Sequence, residues 1–558
     1  MFTALRNSSR HPTTSLKHFY SDCGPATMPK LYSLSSRRLS RLLQHFIAAG
    51  LVVAVFLYIG LYTPLFPRLG FDRPRIHIHP IDDLIKDARK TFDELLQKET
   101  YTLEKAAKAY RARRGRHPPP GFDQWYHFAK ERNAVMIEDF WDQIYEDLNP
   151  FWAVEPVLLR TEAANFEMVI SVRNGQATTH SDWFWTKIWL DLIKTIEHIL
   201  PDMDLALNPM DEPRLVVPWE DMEILMRNVA PKRMDKPKDV VNQFQFLPGR
   251  KDIGGNVKVQ DKGWEDTTKT LFPLFGGSKL TINNEILLPA PMYWNEEERF
   301  TGGNWHGGPW SEKNREKAVI WRGTATGGKN RPSNWKGFHR HRFVAMNNGT
   351  KINAFENHAS DPVNFALPKP EQEYSITALE EGYLGEWVES WSDVGFTDLM
   401  CLDDEKDEHG GCSYTSPHFK VVEGLKLSEM YNWRYLPDID GNSFSGRYLA
   451  FLRSSSLPIK ATVWREWHDR RLVAWKHFVP MDNRFGDYYG IMDYFLGCVG
   501  GVPGHDQEAQ EIAADGKRWA ERVLRKDDMQ IYTLRLLLEY GRVTNDKRDH
   551  MGWAGDLL

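Results

Sequence analysis

The chain has 558 residues, 41% hydrophobic and 13% aromatic, which provides enough apolar surface for large cores and excludes a fibrous or wholly disordered protein. Lys and Arg total 71 and Asp and Glu 76, giving a formal net charge of −5 without a long basic stripe for nucleic acid. The 4 cysteines exclude a disulfide scaffold and a cysteine-rich zinc module.

An uncharged apolar stretch near the start predicts a membrane helix at residues 42–63, long enough to cross a bilayer core of about 30 Å. The tail of residues 1–41 is basic, with Asp22 as its single acidic residue, so the positive-inside rule predicts a single-pass type II protein. A cleaved signal peptide is the rival interpretation, but its charged region would be far too long. The bulk of the chain is then lumenal, and the ending GDLL, which is not an ER-retrieval signal, favours the Golgi membrane.

Apolar residues at helical spacing after this stretch predict one long amphipathic helix over residues 81–113. The run RARRGRHPPPGF ends it, because consecutive prolines cannot continue a helix. The Gly- and Trp-rich segment 301–310 reads as a linker between two domains. The predicted organisation is a stem at 64–115, a first domain at 116–310, a second at 311–505 and C-terminal helices at 506–558.

Short apolar strands alternate with helices in both domains. Strands are predicted at 168–172, 214–218, 317–323 and 456–463, and helices at 128–148, 183–199, 446–453, from Arg465 onward, and 506–542. This alternation is typical of an α/β fold with mainly parallel sheets.

The first candidate site is WRGTATGGKN at residues 321–330, a strand that ends in a glycine-rich turn. It nearly matches a Walker A loop, but Asn330 stands where Ser or Thr would hold magnesium, and Pro332 disfavours an immediate helix. This argues against a nucleotide-dependent kinase. Between Arg322 and Arg331 there remain glycines and hydroxyls that either bind a diphosphate or form an ordinary tight turn.

The second candidate is LPDIDGNSFSGRYLAFLRSSSLPIK at residues 436–460. Its acidic start imitates a calcium loop, but the glycine is misplaced and Leu449 replaces the closing glutamate, which disfavours calcium. Ser443 or Ser445 can cap the helix that follows, and Arg447 in its first turn then makes an anion site. Capping alone explains the serines equally well, but not the arginine, which opposes the helix dipole.

The third candidate is LPDMDLALNPMDEPR at residues 200–214. Asp202 and Asp204 form a D-x-D pair of the kind that holds a nucleotide-sugar through manganese, although short acidic doublets are common. Asp211 and Glu212 lie in a loop between prolines, where a carboxylate beside a cleft can act as a general base. Such a pair is also typical of a solvated turn.

Three cysteines fall in the part predicted to be lumenal, where disulfides form. Cys401 and Cys412 can form a local disulfide, and Cys498 is either a buried free thiol or the true partner of one of them. Cys23 is expected in the cytosol, reduced.

Ordered blocks of this sequence together resemble glycosyltransferase family 90, which includes fungal capsule-associated proteins and animal protein O-glucosyltransferases, and the fungal branch is the more similar. The blocks are RRGRHPPPGFDQWY at 113–126, NPMDEPR at 208–214, WRGTATGG at 321–328, HRHRFV at 339–344, YLPDIDGNSFSGRYLAFLRSSSLPIK at 435–460, WKHFVP at 475–480 and RKDDMQIYTLRLLLEYGRV at 525–543.

The resemblance implies a GT-B architecture of two Rossmann-like domains facing a central cleft, with a UDP-sugar as donor and no metal or other cofactor. Asp211 matches the family's catalytic aspartate in its N-x-x-D-x-P loop, and Arg447 matches the arginine that contacts the diphosphate. The donor-binding residues expected from the matching motifs are Arg322, Gly323, Thr324, Thr326, Gly327, Arg331, Asp440, Ser443, Ser445, Gly446 and Arg447.

The resulting hypothesis is an inverting glycosyltransferase that moves xylose, or next glucose, from a UDP-sugar to a hydroxyl in the secretory lumen. Residues 215–285 look unlike the protein-modifying branch, which favours a glycan acceptor over a protein. The alternative is a catalytically inactive, membrane-anchored carbohydrate-binding protein. The intact set of Asp211 and arginines argues against this alternative.

Overall fold

The structure of the protein is a computed structural model. It describes residues 79–229, 234–244, 267–328, 330–368, 376–401, 411–498 and 503–558. The predicted tail at 1–41 and membrane helix at 42–63 lie outside these residues. In the ranges that are described, no helix combines the length and the apolar character needed to span a bilayer.

Helices and short strands alternate along the described chain. The α-helices are α1 (Pro80–Leu96), α2 (Leu103–Arg114), α3 (Phe122–Glu131), α4 (Asp142–Leu148), α5 (Pro156–Ala164), α6 (Phe184–Lys194), α7 (Trp219–Arg227), α8 (Pro291–Trp294), α9 (Glu298–Thr301), α10 (His339–Met346), α11 (Gly349–Glu356), α12 (Thr377–Glu380), α13 (Leu384–Trp391), α14 (Leu427–Met430), α15 (Tyr448–Arg453), α16 (Tyr488–Leu496), α17 (Asp506–Val523) and α18 (Lys526–Val543). The strands are β1 (Val169–Arg173), β2 (Gln176–Thr179), β3 (Met203–Leu207), β4 (Leu274–Gly276), β5 (Ile286–Leu287), β6 (Asn314–Thr324), β7 (Ser392–Asp398), β8 (Trp433–Ile439), β9 (Leu457–Ala461) and β10 (Val479–Pro480).

The first sheet is mixed, with the order β2-β1-β3-β4-β5. β1 runs antiparallel to β2 and to β3, and the register pairs Ile170 with Leu205. β3, β4 and β5 are parallel to one another. The segments that follow these three strands therefore leave the sheet at a common carboxyl edge, and the predicted Asp211 loop is one of them.

The second sheet is parallel throughout, with the order β7-β6-β8-β9-β10. Numbered along the chain this is the order 2-1-3-4-5 of flavodoxin-like doubly wound sheets, in which the order reverses between the first and third strands. Ligands of such sheets bind outside the carboxyl ends of the strands at the reversal, which are β6 and β8 here. The first two sequence candidates for a donor site follow these two strands.

The first and last α-helices of the described chain each pack in the core of the sheet that is farther from them in sequence. α18 comes last in sequence but lies in the core of the first sheet, where the Trp125 indole donates to the Ile531 carbonyl at 3.0 Å. α1 comes first but contributes Ile81 and Ile85 to the core of the second sheet. The two sheets and these helices therefore form one interlocked body.

The amphipathic helix predicted over 81–113 is instead two helices, α1 and α2. Thr102 begins α2 by accepting a hydrogen bond from the Lys105 N–H at 3.3 Å, and Gly115 ends it with a φ of 66°. The apolar spacing continues across the break, which is why periodicity alone joined them. Both helices pack on the cores, so from Pro80 onward the predicted stem belongs to the folded body.

Other predicted elements are confirmed or shifted by tertiary contacts. The strands predicted at 168–172, 317–323 and 456–463 are confirmed as β1, β6 and β9. The predicted helix 128–148 is interrupted between α3 and α4 by a 3₁₀ turn at Glu138–Trp141. The predicted strand 214–218 makes only an isolated bridge between Leu215 and Thr268, and the helix predicted from Arg465 is a short 3₁₀ turn at Asp469–Arg471.

Candidate functional site

Two turns lie side by side at the strand-order reversal, one after β6 and one after β8. The Gly327 N–H donates to Asn442 Oδ1 at 3.0 Å and so joins them. A Cβ atom added to Gly441 would lie 2.9 Å from Thr326 Oγ1, so only a glycine allows this close approach. Gly327 itself has a φ of 125°, which side-chain-bearing residues rarely adopt.

Arg340 on α10 fastens the two turns together. Its guanidinium donates to the Thr324 carbonyl at 2.9 Å and to Thr326 Oγ1 at 2.6 Å on the β6 side. On the β8 side it donates to the carbonyls of Ile439 at 3.2 Å and Asp440 at 3.0 Å. Burial lowers the Arg340 pKa to about 9. Sequence reasoning missed this residue as part of the site, although it lies in the HRHRFV block.

Arg447 lies between these turns at the start of α15. Its Nη1 donates to the Arg322 carbonyl at 2.6 Å, and its guanidinium carbon is 5.5 Å from the centroid of the Trp321 ring. Its Nη2 is buried and has no hydrogen-bond partner among the described residues. Burial lowers the Arg447 pKa, and the nearby Asp438 carboxylate opposes that shift. An anion beside Nη2 would satisfy the unpaired donor.

The remaining predicted residues of the second turn shape it. Asp440 accepts the Val463 N–H at 2.9 Å, and burial raises the Asp440 pKa to about 7. The Ser443 carbonyl accepts the Gly441 N–H at 2.8 Å, and the Ser445 hydroxyl is buried beside Arg447. These contacts hold the chain in the conformation that presents Arg447.

Arg322 is placed differently from the prediction. Successive strand residues point to opposite faces, so its side chain lies across β6 from Trp321 and Arg447. Its Nη2 pairs with Asp393 Oδ1 at 2.6 Å, and its Nε donates to the Glu423 carbonyl at 3.2 Å. The Arg322 guanidinium is therefore part of the packing between β6 and β7, and only its carbonyl contacts Arg447.

The other predicted residues of the first turn contribute mainly through their backbone atoms. Gly323 lies so close to the Trp321 ring that an added Cβ would be 2.8 Å from it. Thr324 contributes its carbonyl to Arg340, and the Gly327 amide, an expected phosphate donor, is taken by Asn442. Arg331 has an exposed side chain, and its N–H donates to Asn334 Oδ1 at 2.9 Å.

Asp211 is exposed on the loop that follows β3. Asn208 builds this loop: its Oδ1 accepts the Met210 N–H at 3.1 Å, and its Nδ2 donates to the Glu212 carbonyl at 2.8 Å. The buried Glu285 carboxylate accepts the backbone N–H groups at the end of the loop, including that of Leu215 at 2.7 Å. The Asp211 carboxylate is thus presented to solvent on an ordered backbone.

The carboxyl edge of the first sheet contacts the turn after β8. α8, which follows β5, places Met292 where a Cβ on Gly446 would be 2.3 Å from its sulfur. The neighbouring Tyr293 hydroxyl donates to Glu466 Oε1 at 2.6 Å, and its ring lies 5.8 Å from the Phe444 ring. The elements that carry Asp211 and Arg447 therefore come from two sheet edges that meet.

Residues 399–550 match the model of Glycosyl transferase family 90. Through this segment the chain is similar to glycosyl transferase family 90. The family 90 segment contains β8, β9, β10 and the turn that carries Arg447, whereas Asp211 and the turn after β6 precede it.

Two curated relatives are similar over short stretches. Protein O-glucosyltransferase 3 of Mus musculus is 27% identical over 113 residues, 20% of this chain and 21% of the relative. The O-glucosyltransferase rumi homolog of Aedes aegypti is 28% identical over 138 residues, 24% of this chain and 32% of the relative. The chain thus spans between a fifth and a third of the relatives it matches.

The D-x-D pair that precedes the family 90 segment is used for packing. Asp204 pairs with the Arg173 guanidinium at 2.7 Å and accepts the Ser171 hydroxyl at 2.6 Å. Asp202 accepts the Asn174 N–H at 2.7 Å. Both lie toward the amino end of β3, the opposite end from the Asp211 loop, so these contacts do not form a manganese site beside the turns.

A second acidic group within the family 90 segment could be taken for a metal site. Ligand atoms of Glu466, His468 and Asp469 lie within 4.8 Å of one another. The Lys460 ammonium donates to Glu466 Oε2 at 3.0 Å and already supplies a positive charge there. Burial raises the pKa of Glu466 to about 7 despite this neighbour. Within this group, Glu466 is therefore held by Lys460 and by the Tyr293 hydroxyl, at the contact between the sheets.

The cysteine pairing left open by the sequence is resolved. Cys401 and Cys412 form a disulfide, with their Cα atoms 5.4 Å apart. Cys498 is a free cysteine, and its Sγ lies 2.7 Å from the Tyr383 hydroxyl.

Proposed function

We propose that this protein is a member of family 90 and an inverting glycosyltransferase of the GT-B type, which transfers a sugar from a UDP-sugar to a glycan hydroxyl. The observation that carries the proposal is the buried Nη2 of Arg447, for which the described part of the chain provides no hydrogen-bond partner. It lies at the carboxyl end of β8, at the strand-order reversal where doubly wound sheets bind nucleotides. A diphosphate is an anion that fits this donor.

Arg447 binds the diphosphate and stabilises the negative charge that grows on it as the sugar leaves. A fixed guanidinium in a water-poor crevice interacts strongly with such a charge, because it needs no reorganisation during the reaction. The hydroxyls of Ser443 and Ser445 lie in the same turn and can add hydrogen bonds. Arg340 positions both turns without contacting the donor. In this proposal the guanidinium takes the place of a metal.

Asp211 acts as the general base on the acceptor side. Its carboxylate takes the proton of the acceptor hydroxyl as the hydroxyl oxygen bonds to the anomeric carbon. The bond from that carbon to the diphosphate oxygen breaks on the opposite face, and UDP leaves with the bonding electrons. Attack opposite to the leaving group inverts the configuration, so a UDP-α-sugar gives a β-linkage.

Sequence features support proposals for which sugar is transferred and for where the protein is located. The similarity of the sequence blocks to fungal members favours xylose, and both curated relatives are named O-glucosyltransferases, which supports glucose. The predicted helix at residues 42–63 would anchor the protein in the Golgi membrane, with the family 90 segment in the lumen.

UDP binding to the full-length protein in EDTA, measured by calorimetry, tests the proposal. Arg447→Ala should weaken UDP binding about 10- to 100-fold, the loss expected for a hydrogen bond to a charged group. The exposed Arg331→Ala is the matched control and should bind UDP like the wild type. Thermal melting reports whether Arg447→Ala folds. The proposal would be contradicted if the wild-type protein does not bind UDP. It would also be contradicted if a folded Arg447→Ala variant binds UDP with wild-type affinity.

A panel of UDP-sugars identifies the donor. The wild type should hydrolyse or transfer either UDP-xylose or UDP-glucose faster than UDP-galactose. An inactive carbohydrate-binding protein would hydrolyse none of them.

A further inference from the structure

A shallow pocket of about 570 Å³ opens on the first sheet, beside β1 and β2. It is lined by Glu167, Met168, His180, Ser181, Asp182 and Trp183. The Ser181 N–H donates to Thr179 Oγ1 at 3.2 Å, and Ser181 Oγ accepts the Trp183 N–H at 3.2 Å. Thr179 in turn donates to the Val169 carbonyl at 2.6 Å. These hydrogen bonds therefore connect the wall of the pocket to the first sheet.

The lining combines an exposed aromatic ring with carboxylates. Trp183 is 40% exposed and the next residue, Phe184, is 46% exposed. Glu167 and Asp182 are also exposed, and Lys187 Nζ lies 3.2 Å from the Asp182 carboxylate. A flat indole suits the C–H face of a sugar ring, while carboxylates accept hydrogen bonds from its hydroxyls. Lys187 offsets the charge of Asp182, so the Glu167 carboxylate is the group that disfavours a sugar that is itself negatively charged.

The strand register places this pocket on the same sheet edge as the Asp211 loop. The Leu207 N–H, at the end of β3, donates to the Met168 carbonyl at 2.8 Å. Asp211 follows Leu207 by four residues, and four residues span at most about 14 Å. A short oligosaccharide can bridge that distance, with one sugar in the pocket and another at the carboxylate.

We propose that this pocket binds a neutral sugar of the acceptor glycan, away from the sugar whose hydroxyl is attacked. The inference rests on the proposed function for the role of Asp211, but the pocket's affinity for sugar is independent of the donor. Trp183 supplies the stacking face, and Glu167 and Asp182 accept the hydroxyls. The acceptor is therefore an oligosaccharide rather than a single sugar.

Binding without a donor tests the pocket directly. Saturation-transfer NMR on the full-length protein would use neutral manno- and gluco-oligosaccharides, with an oligogalacturonate as the acidic probe. Trp183→Ala should weaken binding of the better neutral probe about tenfold, which corresponds to about 1.4 kcal/mol. Trp305→Ala is the matched control, since Trp305 is 46% exposed but lies outside the pocket. The acidic probe should bind more weakly than the neutral ones, and Glu167→Gln should reduce that difference.

Enzyme kinetics of Trp183→Ala and the wild type show whether the pocket assignment or the proposed transferase activity is wrong. Trp183→Ala should raise the KM of the longer acceptors about tenfold and leave donor hydrolysis and the donor KM unchanged. Equal oligosaccharide binding by wild type and Trp183→Ala, or no binding by either, overturns the pocket assignment. If Trp183→Ala loses binding while the wild type uses no UDP-sugar, the pocket stands and the proposed transferase activity is wrong.

Discussion

Arg340 donates a hydrogen bond of 2.6 Å to the hydroxyl of Thr326. The same guanidinium reaches the carbonyls at the end of β8, so one buried side chain sets the spacing of both turns. Since Arg447 projects from the second turn, the position of its unpaired nitrogen depends on Arg340. The site is therefore organised by a residue that does not itself face the proposed diphosphate.

Replacement of Arg340 by lysine should damage both stability and UDP binding. An ammonium group cannot reproduce hydrogen bonds that leave a planar guanidinium in several directions. We expect Arg340→Lys to lower the free energy of unfolding by about 2–4 kcal/mol and to weaken UDP binding. Arg342→Lys is the matched control, because Arg342 lies on the same helix and its Nε makes one bond, to the Asn364 carbonyl at 3.0 Å. Urea denaturation and calorimetry of both variants measure the difference, and equal effects would contradict the assigned role.

Asp211→Asn should separate catalysis from donor binding. The amide cannot accept the proton of the acceptor hydroxyl, so turnover should fall about 100- to 10,000-fold. UDP affinity should stay within twofold of the wild type, because the Asp211 loop belongs to the other sheet. Glu212→Gln, the neighbouring carboxylate, should keep near-normal turnover. Near-normal transfer by Asp211→Asn would show that another group is the base.

Arg322→Met should reduce stability without changing UDP binding. The Arg322 guanidinium pairs with Asp393 at 2.6 Å, and removing one partner leaves the other unpaired. We expect a loss of about 1–3 kcal/mol in the free energy of unfolding, smaller in the double variant with Asp393→Asn. Calorimetry should give a UDP affinity close to that of the wild type. A loss of UDP affinity as large as that of Arg447→Ala would instead restore Arg322 to the donor site.

The buried Glu285 carboxylate should make stability depend on pH. Burial raises its pKa from near 4.5 to about 7. Between these values the folded protein keeps a proton that the unfolded chain has lost, so stability falls as the pH rises through that window and levels off above it. The size of this fall is about 3 kcal/mol at most. Glu285→Gln keeps the accepted hydrogen bonds but cannot titrate. Urea denaturation at pH 5 and pH 8 should show a smaller difference for Glu285→Gln than for wild type, and equal differences would refute this assignment.

Local sequence signals predicted several elements because they depend on neighbouring residues. β6 contains a buried apolar run and β9 is a short buried strand. The helical periodicity over 506–542 corresponds to two helices, α17 and α18, rather than one. The end of α2 was also predictable, because Gly115 and the prolines after it stop a helix. The resemblance to family 90, carried by ordered motifs, is confirmed by the match at 399–550.

The different roles of Arg322, Arg340 and Arg447 could not be predicted from local sequence signals. Arg322 and Arg447 both flank glycine-rich turns, and only the pleat of β6 directs the Arg322 side chain to Asp393. Arg340 reaches the turns from a helix that follows them, a contact without a local sequence signal. Likewise, no local pattern predicts that Leu215 forms an isolated β-bridge with Thr268 rather than belonging to a strand of the sheet. These outcomes depend on tertiary packing.

α18 has a consequence for biosynthesis. During translation, the core around the first sheet remains incomplete until residues 526–543 have left the ribosome, since α18 lies inside it. The part of the first core that is made early must wait for one helix that is made late. Newly made chains therefore expose apolar surface of this core until late in their synthesis, which makes them prone to aggregation during that interval.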